Sequence, residues 1–192
     1  GSLSISRASR TFPQYLIFKP AMTITSILLC FYWYKNNLLI NSFKNTGNKN
    51  NAFMYFGILS AIFLFIHCIL LGLESDIKIF KLLRRVVLLS FIIFEIIAQS
   101  LLVVSFYRLR IKLKNYCNSN ILKLKILLVS ILILFGIISI PFLIMIGNVH
   151  FKHGLEWNYF IGVILFYFLT NFFWKKKQTK PKELEVFTPH NS

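Results

Sequence analysis

The sequence predicts an all-α integral membrane protein, a bundle of about five transmembrane helices, and two observations carry that prediction. Of 192 residues, 56% are hydrophobic and 17% aromatic, with a mean hydropathy of +0.66. Soluble domains hold roughly 45–50% apolar residues even with glycine included. The apolar residues are also gathered into long uncharged runs between short basic segments, the layout a bilayer imposes. No polar stretch is long enough to bury a core of its own, so no soluble domain is expected.

The elements follow in order. Residues 1–16 are a basic, Ser/Arg-rich segment, and no acidic residue precedes Glu74. Such a start suits a processed organellar protein, and the leading Gly-Ser equally suits a vector-derived remnant. The transmembrane bundle is expected over 17–174. Its first span, 17–34, is the weakest: it holds Lys19, which must snorkel, and Pro20, expected near the first turn. A polar Asn/Lys loop follows. Spans at 52–73 and 86–107 come next, the latter bracketed by Arg84-Arg85 and Arg108. The fourth, 126–147, contains Pro141, which should kink it. The fifth, 157–174, ends in Lys175-Lys176-Lys177, and a basic disordered tail, 175–192, follows. Several runs reach or approach the roughly 20 residues that cross about 30 Å at 1.5 Å each. They lack the alternation of outer-membrane strands. Trp33, Tyr34, Tyr107, Trp157 and Trp174 fall at the expected ends, where amphipathic rings favour the interface.

The formal charge is +16, from 22 Lys+Arg against 6 Asp+Glu. Because the cations flank apolar runs, anionic lipid headgroups are the expected partners, and nucleic acid is not. The headgroup contacts are expected at Arg84, Arg85, Arg108, Arg110, Lys112, Lys114, Lys175, Lys176 and Lys177. Segment 108–114 alternates basic and apolar residues, as a helix end lying on lipid or a solvated loop would. Counted by side, 8 cations share the N-terminal face and 14 the C-terminal face, which places the C-terminus inside. Cys30, Cys68 and Cys117 are odd in number and scattered, so neither a disulfide framework nor a CxxC metal site is expected.

Glu95 is the most informative residue. It lies near the middle of the third span, out of reach of either interface. An intramembrane carboxylate must be protonated, paired or facing water. Gln99 lies one turn further on the same face. His67, in the second span, differs from Glu95 by only about 5 Å in expected depth, so the two are expected in contact. The cluster His67, Glu95, Gln99 is either a proton, ion or headgroup site, or a structural interhelical hydrogen-bond cluster. His150, His153 and Glu156 form an HxxHxxE pattern that could ligate zinc, but Gly154 interrupts it, and a solvated interfacial turn is expected instead. No metal, cofactor, nucleotide loop or catalytic triad is expected.

Glu156-Trp157-Asn-Tyr-Phe-Ile-Gly162 through Phe166-Tyr-Phe-Leu-Thr170 resembles the last helix of the FRAG/DRAM/Sfk superfamily. Ile140-Pro141 is similar to that family's preceding helix, and 52–65 is similar to an earlier one. The resemblance implies work in lipid remodelling or membrane lipid asymmetry. Those proteins have six spans where five are read here, and no catalytic residue carries across. The expected function is therefore non-catalytic: action on or with membrane lipids, or service as an accessory subunit of a larger membrane complex. The alternatives are a small ion or proton channel or transporter using Glu95 and His67, and a metal-dependent lipid enzyme.

Overall fold

A computed structural model describes residues 14–44, 51–71, 78–146 and 149–175. Five long helices and one short one account for nearly all of them: α1 (Gln14–Phe43), α2 (Ala52–Leu71), α3 (Lys78–Arg108), α4 (Arg110–Leu113), α5 (Ser119–Ile146) and α6 (Val149–Phe173). No strand occurs among the described residues beyond one bridge pairing Cys117 with Trp174. Four helices are long and apolar enough to cross a membrane, and a shorter apolar helix runs from Trp157 to Phe173. Large aliphatic and aromatic side chains such as Ile17, Phe31, Tyr55, Leu89 and Phe135 are exposed around the bundle, as a hydrocarbon solvent requires.

The helices outrun the apolar runs that predict them. α1 continues nine residues past position 34, through Lys35-Asn36-Asn37, into what reads as a polar loop. Two features allow this. Asn36 donates to the Tyr32 carbonyl at 2.8 Å, and Asn41 donates to the Asn37 side chain at 3.2 Å, so both amide N–H groups find acceptors along the helix. Ile40, only 1% exposed, holds these last turns against the bundle. Pro20 consequently lies well inside α1 rather than at its first turn. Trp33 is no interface residue either. With a further ten residues of helix after it, the indole is fully buried, near Phe53 and against Gly57.

The basic flanks also wind into helix. α3 begins at Lys78 and α5 at Ser119, where the Asn118 side chain accepts the Asn120 N–H at 3.1 Å as an N-terminal cap. α5 runs past Pro141 to Ile146, and α6 is continuous through Gly154. The expected interfacial turn at 150–156 is thus helix. Gly154 is exposed with no atom near its Cβ position, so nothing there forces the chain out of helix.

Consecutive spans pack in sequence: α1 on α2, α2 on α3, and α5 on α6, with α3 also lying against α5. Phe94 of α3 stacks between Phe56 and Phe63 of α2, its centroid 6.0 and 5.4 Å from theirs. The ends of α1, α3 and α6 and the start of α5 share one face of the bundle. There Lys112 donates to the Phe43 carbonyl at 3.0 Å, Lys175 to the Lys114 carbonyl at 3.2 Å, and Asn118 N–H to Phe173 O at 2.9 Å.

α5 and α6 approach closely at Gly162, whose added Cβ would lie 2.5 Å from Leu132 Cδ2. A leucine tip can swing aside, so Gly162→Ala should cost about 1 kcal/mol in detergent unfolding. Leu132→Ala in the same chain should remove that increment. On the shared face, burial pushes the Cys117 thiol up to about 11, outweighing the opposing pull of Lys175 and Lys125. At pH 8 its thiolate fraction should be roughly a hundredfold below that of a thiol titrating at 9.0. In a chain with Cys30 and Cys68 replaced by serine, iodoacetamide labelling should be slow and rise about tenfold per pH unit. The same shift makes the neutral thiol the form the fold favours, so its contribution is complete below about pH 9 and fades as pH climbs toward 11.

Candidate functional site

Glu95 is wholly buried where α3 faces α2 and α6. Its Oε2 meets Ser60 Oγ of α2 at 2.6 Å, its Oε1 accepts Gln99 Nε2 at 3.0 Å, and the Tyr167 hydroxyl of α6 donates to Oε1. The sequence places Glu95 and Gln99 one turn apart, and the structure joins them. His67 does not take the place expected for it. Ser60 stands opposite Glu95 instead, and His67 lies seven residues further along α2, about 10 Å up the axis. The reason is register: α3 begins eight residues before the apolar run, which places Glu95 level with the middle of α2 rather than its end.

Proton accounting bears on the carboxyl group. Ser60 Oγ has one hydrogen but lies within bonding distance of two oxygens, the Gly57 carbonyl at 2.8 Å and Glu95 Oε2 at 2.6 Å. A carbonyl can only accept. A carboxyl group carrying its proton on Oε2 satisfies both contacts, donating to Ser60 while Ser60 donates to Gly57. Oε1 then accepts from Gln99 and Tyr167. The Trp33 indole N–H lies close to Glu95 without a hydrogen bond of good geometry.

A second polar group enters the bundle at Lys125. The fourth span expected from the sequence, 126–147, leaves it just outside the membrane. Because α5 starts at Ser119, Lys125 falls nearly two turns inside the helix and is 1% exposed. Its ammonium donates to Thr170 Oγ1 at 2.7 Å and lies 4.2 Å from the centroid of Phe166 and 5.3 Å from that of Phe173. Thr170 is three residues from Tyr167 on α6, and Tyr32 of α1 touches both, with its hydroxyl 3.5 Å from Thr170 Oγ1 and its ring centroid 4.9 Å from that of Tyr167. Glu95 and Lys125 are therefore linked through hydroxyl-bearing side chains. The cap residue Asn118 is the sequence signal that could have moved Lys125 inward; nothing in the sequence singles out Tyr167, Thr170 or Ser60.

Beside this network lies a half-open cavity of about 680 Å³, within the range of small-molecule sites. It separates α1 from α6, which meet at Tyr32 and Tyr167 and part above them. α2 and α3 supply its back wall through Leu64, His67 and Phe91. His67 is thus a cavity residue, and Tyr167 belongs to both the cavity and the Glu95 cluster.

Of the expected headgroup residues, Arg85 lies exposed on the N-terminal face, with Arg84 half-buried over the Phe80 ring. Arg108, Arg110, Lys112, Lys114 and Lys175 are exposed together on the opposite face. Lys176, Lys177 and the side chains of His150, His153 and Glu156 lie outside the described residues. Compared with known protein families, with characterised proteins and with solved structures, the chain matches none.

Proposed function

We propose that this is a non-catalytic multipass membrane protein that holds a membrane lipid between α1 and α6. The observation that carries the reading is the cavity: it is mostly apolar and bounded by four helices, and it lies within the apolar length of α1, α2 and α3. A lipid chain entering it exchanges one hydrocarbon medium for another while gaining close contact with aromatic walls. Exposed basic residues at both ends of the bundle support contact with anionic headgroups, at about 1 kcal/mol for each well-placed cation. The excess of Lys and Arg on the C-terminal face supports an inside C-terminus. The resemblance to the FRAG/DRAM/Sfk superfamily points to lipid work as well. Val163, buried and lining the cavity, gives the test. Val163→Trp should fill the cavity and lower the lipid that co-purifies with the protein at least about fivefold, read by mass spectrometry, with little change in unfolding temperature. Equal lipid in both proteins would sink the reading.

One arrangement favours a second reading, a proton path. Tyr167 connects the cavity to Glu95 by a hydrogen bond, and Tyr32, packed edge-on against Tyr167, leads on through Thr170 to Lys125. Liposomes should then show proton flux that Glu95→Gln abolishes; unchanged flux, or none in either protein, removes it.

A further inference from the structure

We infer that the lipid held in this cavity is an uncharged lipid alcohol whose hydroxyl donates to the tyrosine oxygens at the inner end; this rests on the lipid-binding reading above and names its ligand. Two observations lead there. The first is charge. Among the described residues the cavity is lined by no Lys, Arg, Asp or Glu. A phosphate or ammonium headgroup inside it would lose its hydration with no opposite charge to replace it.

The second is the direction of the hydrogen bonds at the inner end. A hydroxyl has one proton. That of Tyr167 goes to Glu95 Oε1. Thr170 Oγ1 gives its proton to the Phe166 carbonyl at 3.2 Å and accepts from Lys125 at 2.7 Å. In the 3.5 Å contact between Thr170 and Tyr32, the donor is therefore Tyr32. Thr25, further up the wall, gives its proton to the Ala21 carbonyl at 2.8 Å. Of the four hydroxyls in the cavity wall, those of Tyr167, Tyr32 and Thr25 have spent their protons within the protein and can offer a ligand only lone pairs. A ligand whose only polar groups are esters, ethers or ketones brings lone pairs to lone pairs. A ligand bearing O–H brings the missing proton. Of the other polar wall groups, Tyr159 lies about 12 Å along α6 from Tyr167 and His67 sits toward that same outer end, while Asn171, one turn beyond Tyr167 and exposed, carries N–H donors from which the oxygen of the same alcohol can accept. The rest of the wall, including Phe91, Phe160 and Phe168, suits a hydrocarbon body.

Sterols and diacylglycerols share this chemistry, and competition binding separates them. The full chain, purified and placed in phosphatidylcholine nanodiscs, is titrated with tritiated cholesterol and with tritiated dioleoylglycerol. Each is competed by itself, by its O-methyl ether, and by dioleoylphosphatidylglycerol. The expected result is saturable binding of one alcohol, with its methyl ether weaker by about tenfold or more, and loss of a similar factor in Tyr32→Phe. Tyr32→Phe removes one acceptor oxygen but leaves the bonds to Glu95 in place. Equal competition by the methyl ether, or binding of the anionic lipid alone, overturns the inference and leaves lipid binding standing. Binding of none of the three, with the same lipid content in wild type and Val163→Trp, overturns both.

Discussion

Gly57→Ala should destabilise the protein by about 3 kcal/mol, at the upper end of the usual cost of overpacking. An alanine Cβ at this position would lie 2.2, 2.3 and 2.5 Å from three indole atoms of Trp33. Real Cβ atoms do not approach a ring so closely, so either the indole or the whole of α1 must move. The indole has little room. It is fully buried, with Tyr32 edge-on at 5.2 Å and the Phe53 ring 6.5 Å away. Small residues are what allow two membrane helices to bring their backbones together, because lipid supplies no hydrophobic force to press them. The measurement is unfolding of the detergent-solubilised protein for four chains: wild type, Gly57→Ala, Trp33→Leu and the double variant. Each single change should destabilise, and the double should be more stable than Gly57→Ala alone, since leucine vacates the space the methyl needs. A double variant that merely sums the two losses would show that the close approach is not what limits the packing.

At Glu95 the two informative substitutions should part company. Glu95→Ala removes the acceptor of Tyr167 and Gln99 in the buried interior of the bundle. Each orphaned donor costs about 1–3 kcal/mol, although hydrogen bonds measured within membrane proteins average nearer 0.6 kcal/mol. A loss of about 2–4 kcal/mol is expected. Ser60 escapes most of this, because the Gly57 carbonyl at 2.8 Å keeps its proton occupied. Glu95→Gln keeps an oxygen for Tyr167 and Gln99 and presents an N–H to Ser60, as the protonated carboxyl does, and it should cost less than about 1 kcal/mol. If glutamine proves as damaging as alanine, the side chain works as a charged carboxylate and the hydrogen count given above is wrong.

Some of this was legible from the residues alone. Uncharged runs of about 20 residues with basic flanks can hardly hide in water, and that is why the helical bundle was foreseeable. Glu95 stood out because one carboxylate at mid-membrane is expensive wherever it points, and Gln99 followed from helical spacing. Helix ends were read less well. A run of apolar letters marks the hydrocarbon, whereas a helix stops where its backbone loses partners. The amides of Asn36 and Asn41 and the cap at Asn118 carried α1 and α5 beyond their apolar cores. From those few turns came two displacements, Trp33 into the core and Lys125 into the bundle, while the early start of α3 put Ser60 in the place expected for His67.

What the sequence by itself determined is the solvent this chain requires and the cost of its one central carboxylate, since both depend on composition along a single segment. What only the tertiary structure decided is which side chains share a depth. Sliding one helix past another by two turns leaves every hydropathy window unchanged but exchanges one hydrogen-bond partner for another. The cavity, the Tyr167 link and the direction of each hydroxyl proton belong to that second kind of information.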